Sequence, residues 1–175
     1  EIAIATFIPN FTSDEFGKYV DTVTGGDFVG TSPNEIAFGL PGANTVVVYE
    51  STTWSGTFEP ADAAVTVTGP SGLGRSLSGS IDFDADGAVD LLVSAPTAHL
   101  GTLFFLPQDS LFGDLVVPGA EGASWRGFEP SDGAGFAFSG LGDFNEDGAS
   151  EFAIAAPHHD TEDTDAGQVW ILPAY

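Results

Sequence analysis

Residues 82–90 read Asp-Phe-Asp-Ala-Asp-Gly-Ala-Val-Asp and decide the fold of this chain, because the pattern recurs at 143–151. Oxygen-bearing side chains stand at positions 1, 3, 5 and 9 around a glycine at position 6. Calcium takes roughly six to eight oxygen ligands and tolerates irregular geometry, so alternate acids around a sharp turn are typical of a calcium loop. Glycine suits the turn because it reaches positive φ at little steric cost. The pattern therefore predicts metal binding.

Each loop offers five ligands in the same order: side chains at positions 1, 3, 5 and 9 and the carbonyl at position 7. In the second loop one carboxylate is an amide, which predicts weaker binding. Magnesium and an EF-hand are less favoured, the latter because the closing acid stands at position 9 and not 12. A solvated Asp/Gly turn is the other alternative. The predicted ligands are Asp82, Asp84, Asp86, Ala88 and Asp90, then Asp143, Asn145, Asp147, Ala149 and Glu151.

Short apolar runs of strand length follow the loops, and each ends in proline. A third copy, residues 35–41, follows a segment at 29–34 that lacks the inner carboxylates, so no metal is expected there. After each proline the chain turns back into another apolar run, which predicts hairpins. The predicted strands are 35–41, 91–96 and 152–157, their partners 45–49, 102–106 and 168–172, and fourth strands at 64–69 and 123–127.

The spacing of the copies is 55 residues from Glu35 to Asp90 and 61 residues from Asp90 to Glu151. Four strands in a unit of this length are typical of a propeller blade. With Phe16-Gly17, Gly26-Asp27-Phe28, residues 142–148 and the Ala-Pro pairs at 95–96 and 156–157, the chain resembles the FG-GAP repeat. That repeat is the blade unit of the integrin α-subunit β-propeller and of many bacterial and archaeal surface proteins.

The resemblance implies an all-β fold of three four-stranded antiparallel blades, at about 11–69, 70–128 and 129–175, in one domain spanning 1–175. It implies calcium at 82–90 and 143–151 only, hence two Ca2+ ions. The chain departs from the family at Leu73-Gly74, where Phe-Gly is usual.

Three blades are fewer than the roughly four to eight that close a propeller. The last predicted blade lacks a fourth strand, and the apolar residues 1–8 are predicted to be that strand, displaced, from the same or a neighbouring chain. Donation between chains adds a strand to an open edge and gives a ring or a filament. The alternative is a fragment of a larger propeller.

Charge restricts the partners. The chain has 26 acids against three Lys and Arg residues, a net charge of −23. Nucleic acid and anionic membranes require clustered cations, so neither is an expected partner. Two calcium ions would neutralise only part of this charge, and salt would screen the remaining repulsion, so a saline origin is expected.

The remaining features favour the cell exterior. Calcium loops of modest affinity suit that environment, and Asn10 begins a glycosylation sequon. Cysteine is absent, and no apolar run approaches the roughly 20 residues that span a bilayer. No catalytic constellation stands out. His99, His158 and His159 are interpreted as hairpin-tip residues, with a mixed His/carboxylate transition-metal cluster around 158–165 as the alternative.

We therefore expect a non-enzymatic, extracellular or cell-surface protein that is stabilised by calcium. Its expected role is structural or adhesive, with head-to-tail strand exchange between copies of itself. The alternative role is a fragment of an integrin-like propeller that binds a protein or glycan. An enzyme attached to a propeller is the least favoured class.

Overall fold

The computed structural model describes residues 5–8, 23–27, 29–30, 35–50, 54–147, 150–160 and 163–173. Within these ranges the regular structure is β-strand, apart from two 3-10 turns at Pro60–Asp62 and Gln108–Ser110. The strands are β1 Ala5–Phe7, β2 Val23–Gly26, β3 Glu35–Leu40, β4 Thr45–Glu50, β5 Gly56–Phe58, β6 Val65–Thr68, β7 Leu77–Ile81, β8 Asp90–Ala95, β9 Thr102–Leu106, β10 Gly113–Val116, β11 Ala123–Arg126, β12 Ala137–Gly142, β13 Glu151–Ala156 and β14 Gln168–Pro173.

Three antiparallel meanders dominate the fold. The first sheet contains β2, β3, β4 and β6, the second β7, β8, β9 and β11, and the third β12, β13 and β14. The predicted all-β class and the predicted strands on either side of the loops are confirmed. The predicted antiparallel pattern is confirmed within each meander, whereas a fourth strand of the third sheet is not seen in the described residues.

The sheets stack face to face with the second in the middle. Strand β8 is buried along its whole length, and its side chains alternate between two cores. Leu91 and Val93 pack against the first sheet, and Leu92 packs against the third. Successive side chains of a strand point to opposite faces of its sheet, and in β8 both faces are covered by a neighbouring sheet.

A close backbone contact fixes the first sheet against the second. A Cβ added to Gly39 would lie 1.9 Å from the carbonyl oxygen of Gly74, so the two chains approach this closely only without side chains. Gly74 has φ +88°, and Leu73 beside it is completely buried. Leu73 thus fills the core at the position where the resemblance would place phenylalanine, which explains why that departure is tolerated.

Strand β10 lies outside the predicted pattern. It pairs in parallel with β6 and makes the first sheet five-stranded. The cause is the apolar character of the connection between β9 and β11, because Leu111 and Val117 on either side of β10 are buried in the core between the first and second sheets. Burial of these side chains brings the connecting segment against the edge of β6 and satisfies backbone groups there.

The position of β1 shows that residues 5–7 do not complete the third sheet of the same chain, contrary to the prediction for residues 1–8. These residues pair in parallel with β5, and not with the third sheet. Phe7 explains the difference, because its ring centroid lies 4.5 Å from that of Phe38, 5.0 Å from that of Phe58 and 5.2 Å from that of Tyr49. With Trp54 these rings form an aromatic cap on the outer face of the first sheet. Exchange of the segment between two chains stays a prediction.

The opposite end of the stack has no such cover in the described residues. Val169 and Ile171 of β14 are 62% and 54% exposed, and they align with Ala155 and Ala153 of β13. These four side chains form what we call the open face of the third sheet. Among the described residues the stack is therefore capped at the first sheet and open at the third.

The cap gives a stability prediction. We expect Phe7→Ala to lower the free energy of unfolding by about 2–4 kcal/mol, because it leaves a cavity among the rings of the cap. Ile8→Ala is the matched control, since Ile8 is 45% exposed, and its effect should stay within about 0.5 kcal/mol. Denaturant unfolding followed by tryptophan fluorescence measures both. Equal effects of the two substitutions would contradict the placement of β1.

Candidate metal centre

The carboxylates of Asp82, Asp84 and Asp86 come together between β7 and β8. Their ligating oxygens all lie within 4.8 Å of one another. The strands run antiparallel, so this loop, residues 143–147 and the ends of β4 and β9 share one end of the stack, which we call the acidic-loop end. The hairpin turns after β8 and β13 lie at the other end, the turn end.

The loop folds on its own side chains. Asp82 Oδ2 accepts the N–H of Gly87 at 3.0 Å, and Asp86 Oδ1 accepts that of Ala88 at 2.7 Å. Ala85 and Gly87 have φ of 59° and 93°, which curls the backbone around the carboxylates. Short Asp side chains favour such turns because they bond to backbone a few residues on. The result is three carboxylates that face a common point.

One atom indicates that a cation fits this group. Asp82 Oδ1 is buried and accepts no hydrogen bond from the part of the chain that the structure describes. A buried acceptor without a partner costs about 1–3 kcal/mol, and a cation would remove that cost. The donors are oxygens only, which suits a hard cation such as calcium or magnesium. The predicted ligation by Ala88 and Asp90 stays a prediction, because neither belongs to the group of three carboxylates.

Asp90 has a structural role beyond the metal ligation that the sequence predicts. It is fully buried, and its Oδ2 and Oδ1 accept the N–H groups of Phe83 at 2.7 Å and Gln108 at 3.0 Å. Burial raises the pKa of the Asp90 carboxyl above its ordinary value, and the two backbone hydrogen bonds oppose that shift. Gln108 in turn donates to the carbonyl of Asp27 at 2.7 Å. Asp90 thus braces its loop and connects it to the first sheet.

The second loop is closed by hydrogen bonds of its own. Asn145 Nδ2 donates to Asp147 Oδ2 at 2.9 Å and to Glu151 Oε1 at 3.0 Å. The backbone N–H of Asp147 donates to Asp143 Oδ1 at 3.0 Å. A cation must compete with the Asn145 amide for the carboxylate oxygens, and the weaker binding of this loop stays a prediction. Ala149 lies outside the described residues.

The closing acid is common to all three repeats. Glu35, which stands where Asp90 and Glu151 stand in the others, is fully buried and accepts the N–H of Val29 at 3.2 Å. Glu151 Oε2 accepts the N–H of Phe144 at 2.7 Å. The loop before Glu35 lacks the inner carboxylates, so its closing acid is retained for bracing. That retention was the signal in the sequence that the closing acid is more than a ligand.

The turn end contains two clefts and both described arginines. The first cleft, of about 260 Å³, is lined by Pro70, His99, Phe104 and Arg126 among others. The second, of about 440 Å³, is lined by Arg75, Thr97, His99, Phe136 and His158 among others. Arg75 lies over the ring of Phe136, with 4.7 Å from Cζ to the centroid. No motif in the sequence indicates that Arg75, Arg126 and His99 are neighbours.

The three predicted hairpin histidines therefore have different surroundings. His99 is exposed and lines both clefts. His158 is exposed, and its Nδ1 lies 3.1 Å from Asp165 Oδ1. His159 is buried, and its Nδ1 lies 2.9 Å from Asp132 Oδ2. All three therefore lie at hairpin turns, as interpreted from the sequence, but His159 is not a solvated hairpin tip, because it is buried beside Asp132 of the connection between β11 and β12.

The fold is a chain of stacked antiparallel sheets, with acidic turns between the first two strands of the second and third sheets. Residues 134–172 match the model of the FG-GAP repeat, so the chain carries an FG-GAP repeat there and the predicted resemblance is confirmed. The chain is similar to integrin alpha-7 of Homo sapiens, with 35% identity over 94 residues, which is 50% of this chain and 7% of that protein.

A second relative matches the chain over the same length and at nearly the same identity. Integrin alpha-7 of Rattus norvegicus is 34% identical over 94 residues, which covers 50% of this chain and 8% of that protein. The chain therefore spans under a tenth of the length of these relatives. In the ranges that the structure describes, no helix is long and apolar enough to cross a membrane.

The bracing role of Asp90 gives a prediction for the metal-free protein. In the presence of chelator we expect Asp90→Ala to destabilise the fold by about 2–4 kcal/mol, because the buried N–H of Phe83 and the half-buried N–H of Gln108 lose their acceptor. Asp84→Ala, at an exposed position in the same loop, should change stability by less than about 0.5 kcal/mol. Urea unfolding in EDTA measures both variants. A large loss from Asp84→Ala without metal would contradict the assignment.

Proposed function

We propose that this chain is part of an extracellular, calcium-stabilised β-propeller and serves as a module that binds a protein or glycan. The observation that carries the proposal is the open face of the third sheet, on a chain that contains an FG-GAP repeat. In a propeller each sheet packs its face against the next one. Val169 and Ile171 have the character of the residues that fill the two cores, and a further sheet of the same kind would cover them.

Self-association is the second candidate, and a specific observation favours it. Within the described residues the third sheet ends at β14, which pairs with β13. Such an edge is a template for pairing with another chain. The aromatic cap argues against head-to-tail self-association, because β1 and β5 already cover the outer face of the first sheet. Among the described residues that face offers no apolar surface for the open face of another copy.

Calcium is proposed as the cation of the acidic-loop end. Asp82, Asp84 and Asp86 would hold it in the first loop, and Asp143, Asn145 and Asp147 in the second, with lower affinity. The bound ion would supply positive charge to a chain with a net charge of −23. Its proposed role is to stiffen the loop between the first two strands of a sheet. The closing acid stabilises the same loop by accepting hydrogen bonds from its backbone.

The turn end is proposed as the ligand-binding face. The larger of its two clefts, of about 440 Å³, falls in the range of about 300–1,000 Å³ that ligand sites have, and the smaller, of about 260 Å³, lies below that range. Arg75 and Arg126 line these clefts on a chain that has only three Lys and Arg residues. A ligand that presents a carboxylate or sulfate group would meet the complementary charge here.

Calcium binding has a direct thermodynamic test. Calcium added at fixed ionic strength should raise Tm, since a ligand that binds only the folded state stabilises it by about 2.7 kcal/mol at 100 times Kd. Asp84→Asn should remove most of this increase. Asp114→Asn makes the same charge change at an exposed position of β10 and should leave the increase intact. If both variants respond as the wild type does, the loop is a solvated turn.

The binding face is tested with immobilised matrix proteins and with sulfated and sialylated glycans. We expect at least one of these ligands to bind in calcium, with Kd raised about tenfold in Arg126→Ala, a loss of roughly 1.4 kcal/mol. Asp114→Ala serves as control. Light scattering on the same samples decides between the candidates: a monomer that binds supports the module, whereas filaments in calcium support self-association. A monomer that binds none of the panel overturns the ligand-binding role.

A further inference from the structure

We propose that Glu129, Asp132 and His159 form a metal site of a second kind, for a first-row transition cation such as Zn2+. One ligating atom from each of the three side chains lies within 4.8 Å of the other two. Asp132 is 2% exposed and His159 8% exposed, while Glu129 is open to solvent. The group lies at the turn end, away from the acidic loops, and its function does not depend on calcium.

The fold brings these residues together from separate segments. Glu129 and Asp132 belong to the connection between β11 and β12, and His159 follows β13, 27 residues after Asp132. Backbone hydrogen bonds hold both segments: the N–H of His158 donates to the carbonyl of Asp132 at 3.1 Å, and that of Gly167 donates to the carbonyl of His159 at 3.0 Å. The ligands are therefore placed on turns that are already fixed.

The side chains are oriented as well. Asp132 Oδ2 accepts the backbone N–H of Glu129 at 3.0 Å and lies 2.9 Å from His159 Nδ1. The His159 ring packs edge-on against Trp170, with 5.4 Å between ring centroids. Side chains that are locked by packing and hydrogen bonds lose little entropy when a cation binds. Glu129 is exposed and free to complete the shell.

The donor set decides the class of cation. Imidazole nitrogen with carboxylate oxygen suits zinc, copper or nickel, whereas the oxygen-only group at Asp82, Asp84 and Asp86 suits calcium. Ligand atoms around tetrahedral zinc lie about 3.3 Å apart, given bonds of about 2.0–2.1 Å. If His159 ligates through Nδ1, its 2.9 Å separation from Asp132 Oδ2 must therefore open by a few tenths of an ångström. Water completes the four-coordinate shell, and binding releases to solvent any proton that the ligating nitrogen carries.

A buried His–Asp pair that only closes the turn is the competing interpretation. One feature favours a site: a third donor, the exposed Glu129, places a carboxylate oxygen within 4.8 Å of the ligating atoms of the pair. Exposed acids are abundant on this chain, but a group with two buried members and a nitrogen donor is a different arrangement. In the part of the chain that the structure describes, the only other such group of three is the acidic loop.

Trp170 supplies a local readout. Cu2+ bound at His159 would quench the fluorescence of Trp170 because the two rings are in contact, and Trp125 lies 5.0 Å further on. Titration of the full chain with Cu2+ in excess calcium, which occupies the acidic loops, should give saturable quenching at one equivalent. Zn2+ should reverse it. Trp170→Phe should lower the amplitude and leave the affinity unchanged.

Matched variants locate the binding. Glu129→Gln and His159→Gln should each weaken Zn2+ and Cu2+ binding by about 10–100-fold. His99→Gln is the control, since His99 is an exposed histidine at the same end. Glu129→Gln decides the question if His159→Gln fails to fold. Wild-type affinity in Glu129→Gln, equal loss in His99→Gln, or no saturable binding below millimolar Zn2+ would each overturn the proposal and leave the calcium loops and the ligand-binding face untouched.

Discussion

The rest of the structure depends on a buried carboxylate at the start of the second strand of each meander. Glu35, Asp90 and Glu151 each accept a backbone N–H from the loop that precedes them. Burial of a carboxylate is costly unless hydrogen bonds replace its water. The chain buries such a carboxylate in all three meanders, including the one whose loop lacks inner carboxylates. The hydrogen-bonded closing acid is therefore common to the three repeats, whereas the predicted cation belongs to two of them.

Two contacts extend this constraint to the stacking of the sheets. At the acidic-loop end, Gln108 connects Asp90 to the carbonyl of Asp27, so that the brace of the second sheet also holds the first. At the turn end, the backbones of Gly39 and Gly74 meet without side chains between them. Because the two ends are fixed independently, the apolar residues of β8 face both neighbouring sheets in a single register. The two clefts and the buried His159 lie among the hairpin turns at the turn end, where neighbouring sheets meet.

The sequence predicted the features that repeat and missed those that occur once. Strands β3, β8 and β13 follow from apolar runs after the loops, and their partners from the turn chemistry between them. The parallel strands β1, β5 and β10 carry no periodic pattern, because single anchors such as Phe7 and Leu111 decide their position. Asp132 and His159 are 27 residues apart and share no motif, so only the fold brings them together.

The asymmetry of the stack bears most strongly on function. A repeat protein needs a cover on each terminal face, since a repeat cannot bury its apolar side alone. The first sheet obtains its cover from Phe7, Trp54 and Phe58, whereas the small Ala153 and Ala155 leave room beside Val169 and Ile171 for the side chains of a partner. In a head-to-tail contact, the third sheet of one copy would have to displace the aromatic cap from the first sheet of another copy. The packing energy of the cap would be lost before the new contact contributed any stabilisation. A further sheet on the third one has no such cost, and for that reason the open face favours a larger propeller over a filament.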